Sequence, residues 1–247
     1  NFLGDDIDED DLFAAEDADA FVTSGFGVVG VKHNLIIGNK TYWRTVIGGS
    51  LSANTFEEDR YLNLGTDQES KFRITEVDNT ESRLTLSSYL NSKISAKQTI
   101  RAGVLVESFT NDNFARDREN QPDLDNDGQP DWFSIYNFDG TFNLIQPFAQ
   151  TQYKLANNLT LNAGLHAQYA SLSEQFVLEP RASLSYDLNP KNKVTIAYGM
   201  HHQNVPLPLL LLDEEVDGRL VRSNEDLEFT RSQHFVLGYD AKLGNSW

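Results

Sequence analysis

Apolar and polar residues alternate along this chain, most regularly between Leu159 and Gln203. In the first segment of this region the apolar set occupies every second position, at Leu159, Leu161, Ala163, Leu165, Ala167 and Tyr169. Side chains of a β-strand point alternately to opposite faces, so a period of two indicates a strand with one apolar and one polar face. The pattern returns in 176–188 and 192–203, which predicts a series of neighbouring strands.

The connections between the predicted strands alternate in length. We predict nine strands, at 24–37, 41–55, 70–90, 97–109, 139–155, 159–171, 176–188, 192–203 and 231–243. The short connections are 38–40, 91–96, 156–158 and 189–191, and the long polar ones are 56–69, 110–138 and 204–230, with 172–175 a short exception among them. Tilted strands of about ten residues can cross a bilayer, and outer-membrane barrels have short turns at one end and long loops at the other. The predicted fold class is all-β, an antiparallel transmembrane β-barrel.

The composition excludes several other classes of protein. The 247 residues carry a formal net charge of −17, which argues against binding to nucleic acid, because phosphates require clustered Lys and Arg. There is no cysteine, so disulfides and thiolate metal sites are excluded. No apolar run approaches the roughly 18 residues that a transmembrane helix needs.

The longest predicted loop contains an acidic motif around Gly128. Its oxygen-bearing residues at alternate positions are Asp123, Asp125, Asp127, Gln129 and Asp131. Calcium takes several oxygen ligands, and a glycine permits the sharp bend that brings a backbone carbonyl to the ion. The spacing resembles the calcium loops of dockerin and thrombospondin-type repeats, although Ser134 stands where an EF-hand has its bidentate Glu. We predict a structural Ca²⁺ site, the alternative being an acidic loop without metal.

Histidines and aromatic residues indicate faces of the sheet rather than a reaction centre. The adjacent His201 and His202 are expected on opposite faces, with His201 and His166 as ordinary lining of the polar face. Without a cysteine, a nucleophile elbow or a paired base, the chain is not expected to be an enzyme. Tyrosines expected to form girdles at the membrane interfaces are Tyr153, Tyr169, Tyr186, Tyr198 and Tyr239. The cluster beside the acidic loop, expected to anchor it or to contact a ligand, is Trp132, Phe133, Tyr136 and Phe138.

Five segments in the second half of the chain carry a resemblance to a known family. They are Leu178–Leu188 (LEPRASLSYDL), Val194–Gly199 (VTIAYG) with the later Gln203, Gln146–Gln150 (QPFAQ), Leu159–Gly164 (LTLNAG) and His234–Tyr239 (HFVLGY). Together they resemble the barrel of TonB-dependent outer-membrane receptors, particularly those of the Bacteroidetes. The resemblance covers 140–243 well, whereas the first half of the chain resembles the family only in its general pattern.

This resemblance implies a large barrel of about 22 strands with a plugged lumen. Nine strands are an odd number, and Asn1 is not part of a signal-peptide pattern, so we expect 1–247 to form part of one barrel domain without its plug. The implied function is capture of a ligand at the bacterial outer membrane and its import into the periplasm. An inner-membrane protein supplies the energy through the plug domain. The other expected partners are lipid, lipopolysaccharide and a surface lipoprotein.

The resemblance places substrate contacts on outer loops and on residues that face the lumen. Gln203, Asn204 and the loop 110–138 are therefore the candidate ligand-binding residues. Siderophores, haem, cobalamin, glycans and peptides all stay open as substrates. Two other functions also stay open: a non-transporting barrel that serves as an adhesin or structural protein, and a soluble β-sheet binding protein whose apolar faces pack together.

Overall fold

A nine-stranded antiparallel sheet makes up most of the structure. The computed structural model describes residues 17–126, 128–217 and 219–243. In chain order the elements are β1 (Ala18–Ile37), β2 (Thr41–Leu62), β3 (Ser70–Lys93), β4 (Gln98–Asp117), β5 (Phe133–Ala156), β6 (Leu159–Ala170), β7 (Gln175–Asn189), β8 (Asn192–Gln203), α1 (Leu207–Leu210), β9 (Glu214–Val216), β10 (Arg219–Val221) and β11 (Thr230–Ala241). The strands β1 to β8 follow one another in the large sheet and β11 pairs with β8, while β9 and β10 form a separate hairpin. The predicted all-β, antiparallel fold class is confirmed.

The hydrogen-bond register assembles the alternating residues into two uniform faces. Leu161 lies opposite Leu184, Leu184 opposite Ile196, and Ile196 opposite Leu237. This surface is called the apolar face below, and the residues between these positions form the polar face. Ile196 is 54% exposed and Leu237 is 78% exposed. A continuous, exposed apolar surface of this kind marks contact with a membrane or with another protein.

Aromatic side chains flank the apolar face at two levels. The row near the short turns consists of Trp43, Tyr153, Tyr186 and Tyr239, and the row at the opposite end includes Tyr169 and Phe176. Phe176 and Tyr186 are separated along β7 by roughly 33 Å, which at a tilt of about 40° spans about 25 Å across the sheet. Outer-membrane barrels carry an apolar band of about 25 Å between two aromatic girdles. The height of the apolar face therefore matches a bilayer.

One of the five predicted girdle tyrosines lies elsewhere. Tyr198 is placed opposite Ala182, in the middle of the apolar band. Its ring packs against Phe235 with 4.9 Å between centroids, and its hydroxyl donates to Gln233 at 3.2 Å. Parity alone assigns a residue to a face but not to a height, which is why the sequence misplaced Tyr198.

The first five strands are much longer than the later ones. β1 to β5 contain 20–24 residues, whereas β6, β7, β8 and β11 contain 12–15. The extra length lies at the end away from the short turns, where ion pairs replace the apolar set. Lys71 Nζ lies 2.6 Å from Asp19 Oδ2, and Arg73 pairs with Asp59. These strand ends project beyond the apolar band.

Two of the predicted loops are shorter than expected, because the strands beside them continue beyond the apolar band. The loop predicted at 56–69 is confined to 63–69, because β2 continues to Leu62, and the loop predicted at 110–138 is confined to 118–132. Beyond the apolar band both faces of a strand are polar, so alternation disappears although the hydrogen-bonded ladder continues. The third long connection spans 204–229 and contains α1 and the β9–β10 hairpin. No helix in the described part of the chain is long and apolar enough to cross a membrane.

Close packing on the polar face requires glycine at two positions. Gly103 lies opposite Tyr89, and a Cβ atom at Gly103 would lie 2.4 Å from the Cβ of Tyr89. A Cβ atom at Gly140 would lie 2.8 Å from the ring of Phe138. Each glycine thus leaves space for an aromatic side chain that lies flat on the sheet.

Candidate functional site on the polar face

One row of residues crosses the polar face from β4 to β11. The register places them in the order Arg101, Gln150, Gly164, Arg181, Gly199 and His234. Neighbouring strands lie about 4.8 Å apart, so the Cα atoms of the two arginines are roughly 14 Å apart. Gln150 and Gly164 lie between them, so only neutral residues separate the two basic groups.

A groove of about 510 Å³ follows this row. Its lining contains two arginines and three histidines, which are Arg101, Arg181, His166, His201 and His234. No carboxylate is among its lining residues in the described part of the chain. The volume is typical of a ligand pocket. In a chain with a net charge of −17, this groove is a local concentration of basic groups.

Two aromatic rings hold the side chain of Arg101. Its guanidinium carbon lies 3.9 Å from the centroid of Tyr89 and 5.7 Å from that of Phe148. A guanidinium that stacks on rings keeps its N–H groups in a fixed plane, where they can donate to an oxyanion. The Nε atom of Arg101 is buried and has no hydrogen-bond partner among the described residues. Arg101 is thus positioned with unused donor capacity.

Glu179 fixes the second arginine. The Glu179 side chain is only 2% exposed and lies 2.7 Å from Arg181 Nη2. His166 Nδ1 contacts the same carboxylate at 2.8 Å, and Gln168 Nε2 donates to it at 2.8 Å. Buried carboxylates require such partners, because an unpaired charge away from water is costly. The cluster therefore holds Arg181 at the edge of the groove.

The Glu179 cluster also replaces part of the ladder between β7 and β8. The backbone pairing of these strands ends with Arg181 opposite Gly199. Beyond that point the backbone N–H of His202 donates to Glu179 at 2.5 Å, and its carbonyl accepts from Gln168 Nε2 at 3.0 Å. Two side chains thus satisfy backbone groups that a continued ladder would have paired. For the same reason His202 Nδ1 comes within 3.6 Å of Glu179, a contact that parity on a regular strand did not predict.

The acidic loop is folded around its own carboxylates. Gly128 N donates to Asp123 Oδ2 at 3.0 Å, and Leu124 N donates to Asp131 Oδ2 at 2.9 Å. Gly128 has a φ of +90°, the bend that the calcium prediction required. The remaining predicted ligands are Asp125, Asp127 and Gln129, of which Asp127 lies outside the described residues. Within the described ranges, no group of three His, Cys, Asp or Glu residues is arranged to hold a metal ion.

The aromatic residues predicted to contact a ligand serve mainly as packing groups. The ring of Trp132 lies 4.2 Å from the guanidinium of Arg116 and 4.5 Å from that of Arg118. Tyr136 is buried, and its hydroxyl donates to Asn79 at 3.2 Å. Both residues thus contribute to the anchoring role that was one of the two expectations for this cluster.

The long connection 204–229 folds over the polar face of β3 to β5. Leu211 is fully buried and packs with Ala115 and Tyr136, and Asp213 N donates to the carbonyl of Ile135 at 2.8 Å. Arg222 Nη2 also donates to the carbonyl of Asn137 at 2.8 Å. The predicted ligand residues at the start of this connection are Gln203, which is exposed at the end of β8, and Asn204, which is half-buried.

The bilayer-sized apolar band, the aromatic rows and the alternation of short turns with long connections together describe the wall of an outer-membrane barrel. Residues 2–244 match the family described as TonB dependent receptor-like, beta-barrel. The chain belongs to this family. No curated protein matches the chain. The TonB-dependent receptors are a receptor and transporter family of the outer membrane. In such a barrel the apolar face contacts lipid, the polar face lines the lumen, and the long connections lie outside the cell.

The row that contains Arg101 and Arg181 was not predicted from the sequence. Parity assigned His166 and His201 to the polar face, and both line the groove. Arg101 and Arg181 are 80 positions apart in the sequence, and the register of four strands places them in one row. The available signal was the basic residues at polar-face positions of β4, β6 and β7, which are Arg101, His166 and Arg181, but their neighbours could not be assigned without that register.

Proposed function

We propose that this chain forms part of the wall of a TonB-dependent receptor that binds a ligand at the cell surface and imports it into the periplasm. The match to the receptor barrel family over residues 2–244 is the observation that carries the proposal. The energy comes from an inner-membrane coupling protein, which engages a plug domain in the lumen. The basic groove on the lumenal face and the inward fold of 204–229 give a ligand a surface on its path.

The proposed partners follow from the two faces and the projecting ends. Outer-membrane lipid covers the apolar face, and lipopolysaccharide lies beside the strand ends above it. A surface lipoprotein is a further proposed partner, which the projecting ends of β1 to β5 could meet outside the membrane. Gln203, Asn204 and Trp132 are proposed ligand contacts because they lie at strand ends next to the long connections, where the family resemblance places ligand binding.

Deletion of the complete gene should abolish the uptake of one class of solute. The wild type, the deletion strain and a complemented strain are compared in defined media that each contain ferric siderophore, haem, cobalamin, oligosaccharide or peptide. We expect consumption of one of these solutes to fall at least tenfold and to recover on complementation. Loss of the inner-membrane coupling protein should have the same effect. Unchanged consumption of that solute without the coupling protein would contradict energised import and would favour an adhesin, which an attachment assay would then detect.

We also propose that the acidic loop 123–131 binds a structural calcium ion. Asp123 and Asp131 already face the interior of the loop, and Gly128 supplies its bend, so the chemistry of the donor set fits calcium. In the purified receptor, calcium should slow proteolytic cleavage within 118–132 several-fold. The double variant Asp123→Asn, Asp131→Asn should lose that protection, whereas Asp67→Asn, in the neighbouring loop, should keep it. Equal cleavage with calcium and with chelator would exclude the site.

A further inference from the structure

We propose that the lumenal groove between Arg101 and Arg181 binds an oxyanion group of the imported ligand. This inference rests on the proposed function and adds the chemical class of the ligand. Arg101 and Arg181 both line a groove of about 510 Å³, and Gln150 and Gly164 lie between them in the row. Carboxylate and phosphate share the chemistry that such a pair recognises, since both accept the parallel N–H groups of a guanidinium.

Two aromatic rings hold the Arg101 guanidinium in position. Stacking against Tyr89 and Phe148 orients its guanidinium before any ligand arrives, so less side-chain entropy is lost on binding. No carboxylate pairs with Arg101 among the described residues. Most other arginines of the wall are already matched, as Arg83 is with Glu107 and Arg116 with Glu76. The charge of Arg101 is therefore available to an anion in the groove.

Arg181 is held in place by Glu179 but stays partly exposed. Glu179 accepts one bond from Nη2 and is itself enclosed by His166, Gln168 and the backbone of His202. Glu179 therefore orients Arg181, and its carboxylate is occupied by these partners on the side away from the solvent. The Arg181 side chain is 47% exposed and lines the groove, so Glu179 does not cover all of its donors. Glu179 is thus a positioning residue for this arginine.

Only neutral residues, Gln150 and Gly164, lie between the two arginines in the row. Gly164 has Gln150 and Ala149 as the neighbours of its missing Cβ, at 3.1 and 3.3 Å. At the next glycine of the row the space is occupied, because His201 Nε2 lies 3.0 Å from where a Gly199 Cβ would be. His201 also packs edge-on against His234 at 5.2 Å. An anion above Gln150 and Gly164 would have Arg101 on one side and Arg181 on the other.

The proposal is tested by isothermal titration of the purified full-length receptor with citrate and with inorganic phosphate. We expect at least one anion to bind, more weakly at high salt, and Arg101→Gln or Arg181→Gln to raise its Kd on the order of tenfold. Arg83→Gln is the matched control, because Arg83 also lies on the lumenal face but is not among the residues that line the groove. The anion that binds more tightly identifies carboxylate or phosphate as the preferred group.

A negative charge at position 164 tests the groove between the two arginines directly. Gly164→Asp keeps both arginines and places a negative charge between them, so anion binding should be lost, provided that the heat-modified gel mobility shows a folded barrel. Arg181→Lys tests the same step without touching the backbone and should weaken binding, because an ammonium lacks the planar fork. Absence of binding by both anions, or equal weakening by Arg83→Gln, would overturn the proposal. Binding is measured without energy coupling, so this failure is distinct from a failure of solute uptake.

Discussion

Replacement of Glu179 by alanine is expected to lower the free energy of unfolding by about 3–5 kcal/mol, the usual cost of removing one partner from a buried charged cluster. The carboxylate accepts from Arg181, Gln168 and the backbone of His202, and it contacts His166. Removal of the carboxylate leaves the buried Gln168 side chain and the backbone N–H of His202 without this acceptor, and it removes the anionic partner of Arg181. Because the ladder between β7 and β8 has already ended at Arg181, no backbone pair replaces the lost bonds.

The measurement is the denaturant midpoint of the purified receptor, followed by the gel mobility of the folded barrel. Asp187→Ala is the matched control, since Asp187 lies on the same face of β7 but is exposed, and its replacement should change stability by less than about 0.5 kcal/mol. Glu179→Gln keeps the size of the side chain and one acceptor oxygen, so it should fall between the two. Equal midpoints for Glu179→Ala and Asp187→Ala would show that the cluster does not stabilise the wall.

Leu211→Asp is expected to release the connection 204–229 from the lumenal face. Leu211 is fully buried against Ala115 and Tyr136, so the substitution removes about 2 kcal/mol of apolar burial and adds the larger cost of an unpaired charge. The sheet itself does not depend on this contact, and we therefore expect local release rather than unfolding. The measurement is limited proteolysis, in which cleavage within 204–229 should accelerate at least tenfold.

Leu209→Asp provides the control for this release. Leu209 lies two residues before Leu211, in the short helix α1, but is 49% exposed, so a charge there remains hydrated. The cleavage rate of Leu209→Asp should stay within about twofold of the wild type. If both variants were cleaved equally fast, the contact of Leu211 with the wall would not be what holds the connection in place.

The membrane-spanning part of the fold was predictable because two solvents act on one strand. Lipid on one side and the polar lumen on the other require alternation at every step, and this gave the cores of the nine long strands and their short turns. The projecting ends, such as 56–62 and 110–117, carry mainly polar and charged residues on both faces. They are held by the backbone ladder and by pairs such as Lys71 with Asp19, and neither leaves a periodic pattern.

The candidate site was predictable only in part, because it depends on register. A single strand shows that Arg181 and His166 belong to the polar face, but a shift of one residue in pairing would place different neighbours beside them. Tyr136 shows the reverse limitation. Its place beside an acidic loop suggested an anchoring or a ligand-binding residue, whereas its cover comes from Leu211, which is distant in sequence.

Single fluorescent labels test most directly whether the apolar face contacts lipid and the polar face lines the lumen. The chain contains no cysteine, so Ile196→Cys and Ser183→Cys each introduce one site for a fluorescent label, in a full-length receptor free of other cysteines. In vesicles with nitroxide-labelled acyl chains, we predict several-fold stronger quenching at 196 than at 183. Leu237→Cys, which lies beside Ile196, should behave like the first site. Equal quenching at both faces, or stronger quenching at 183, would contradict the assignment of lipid and lumen.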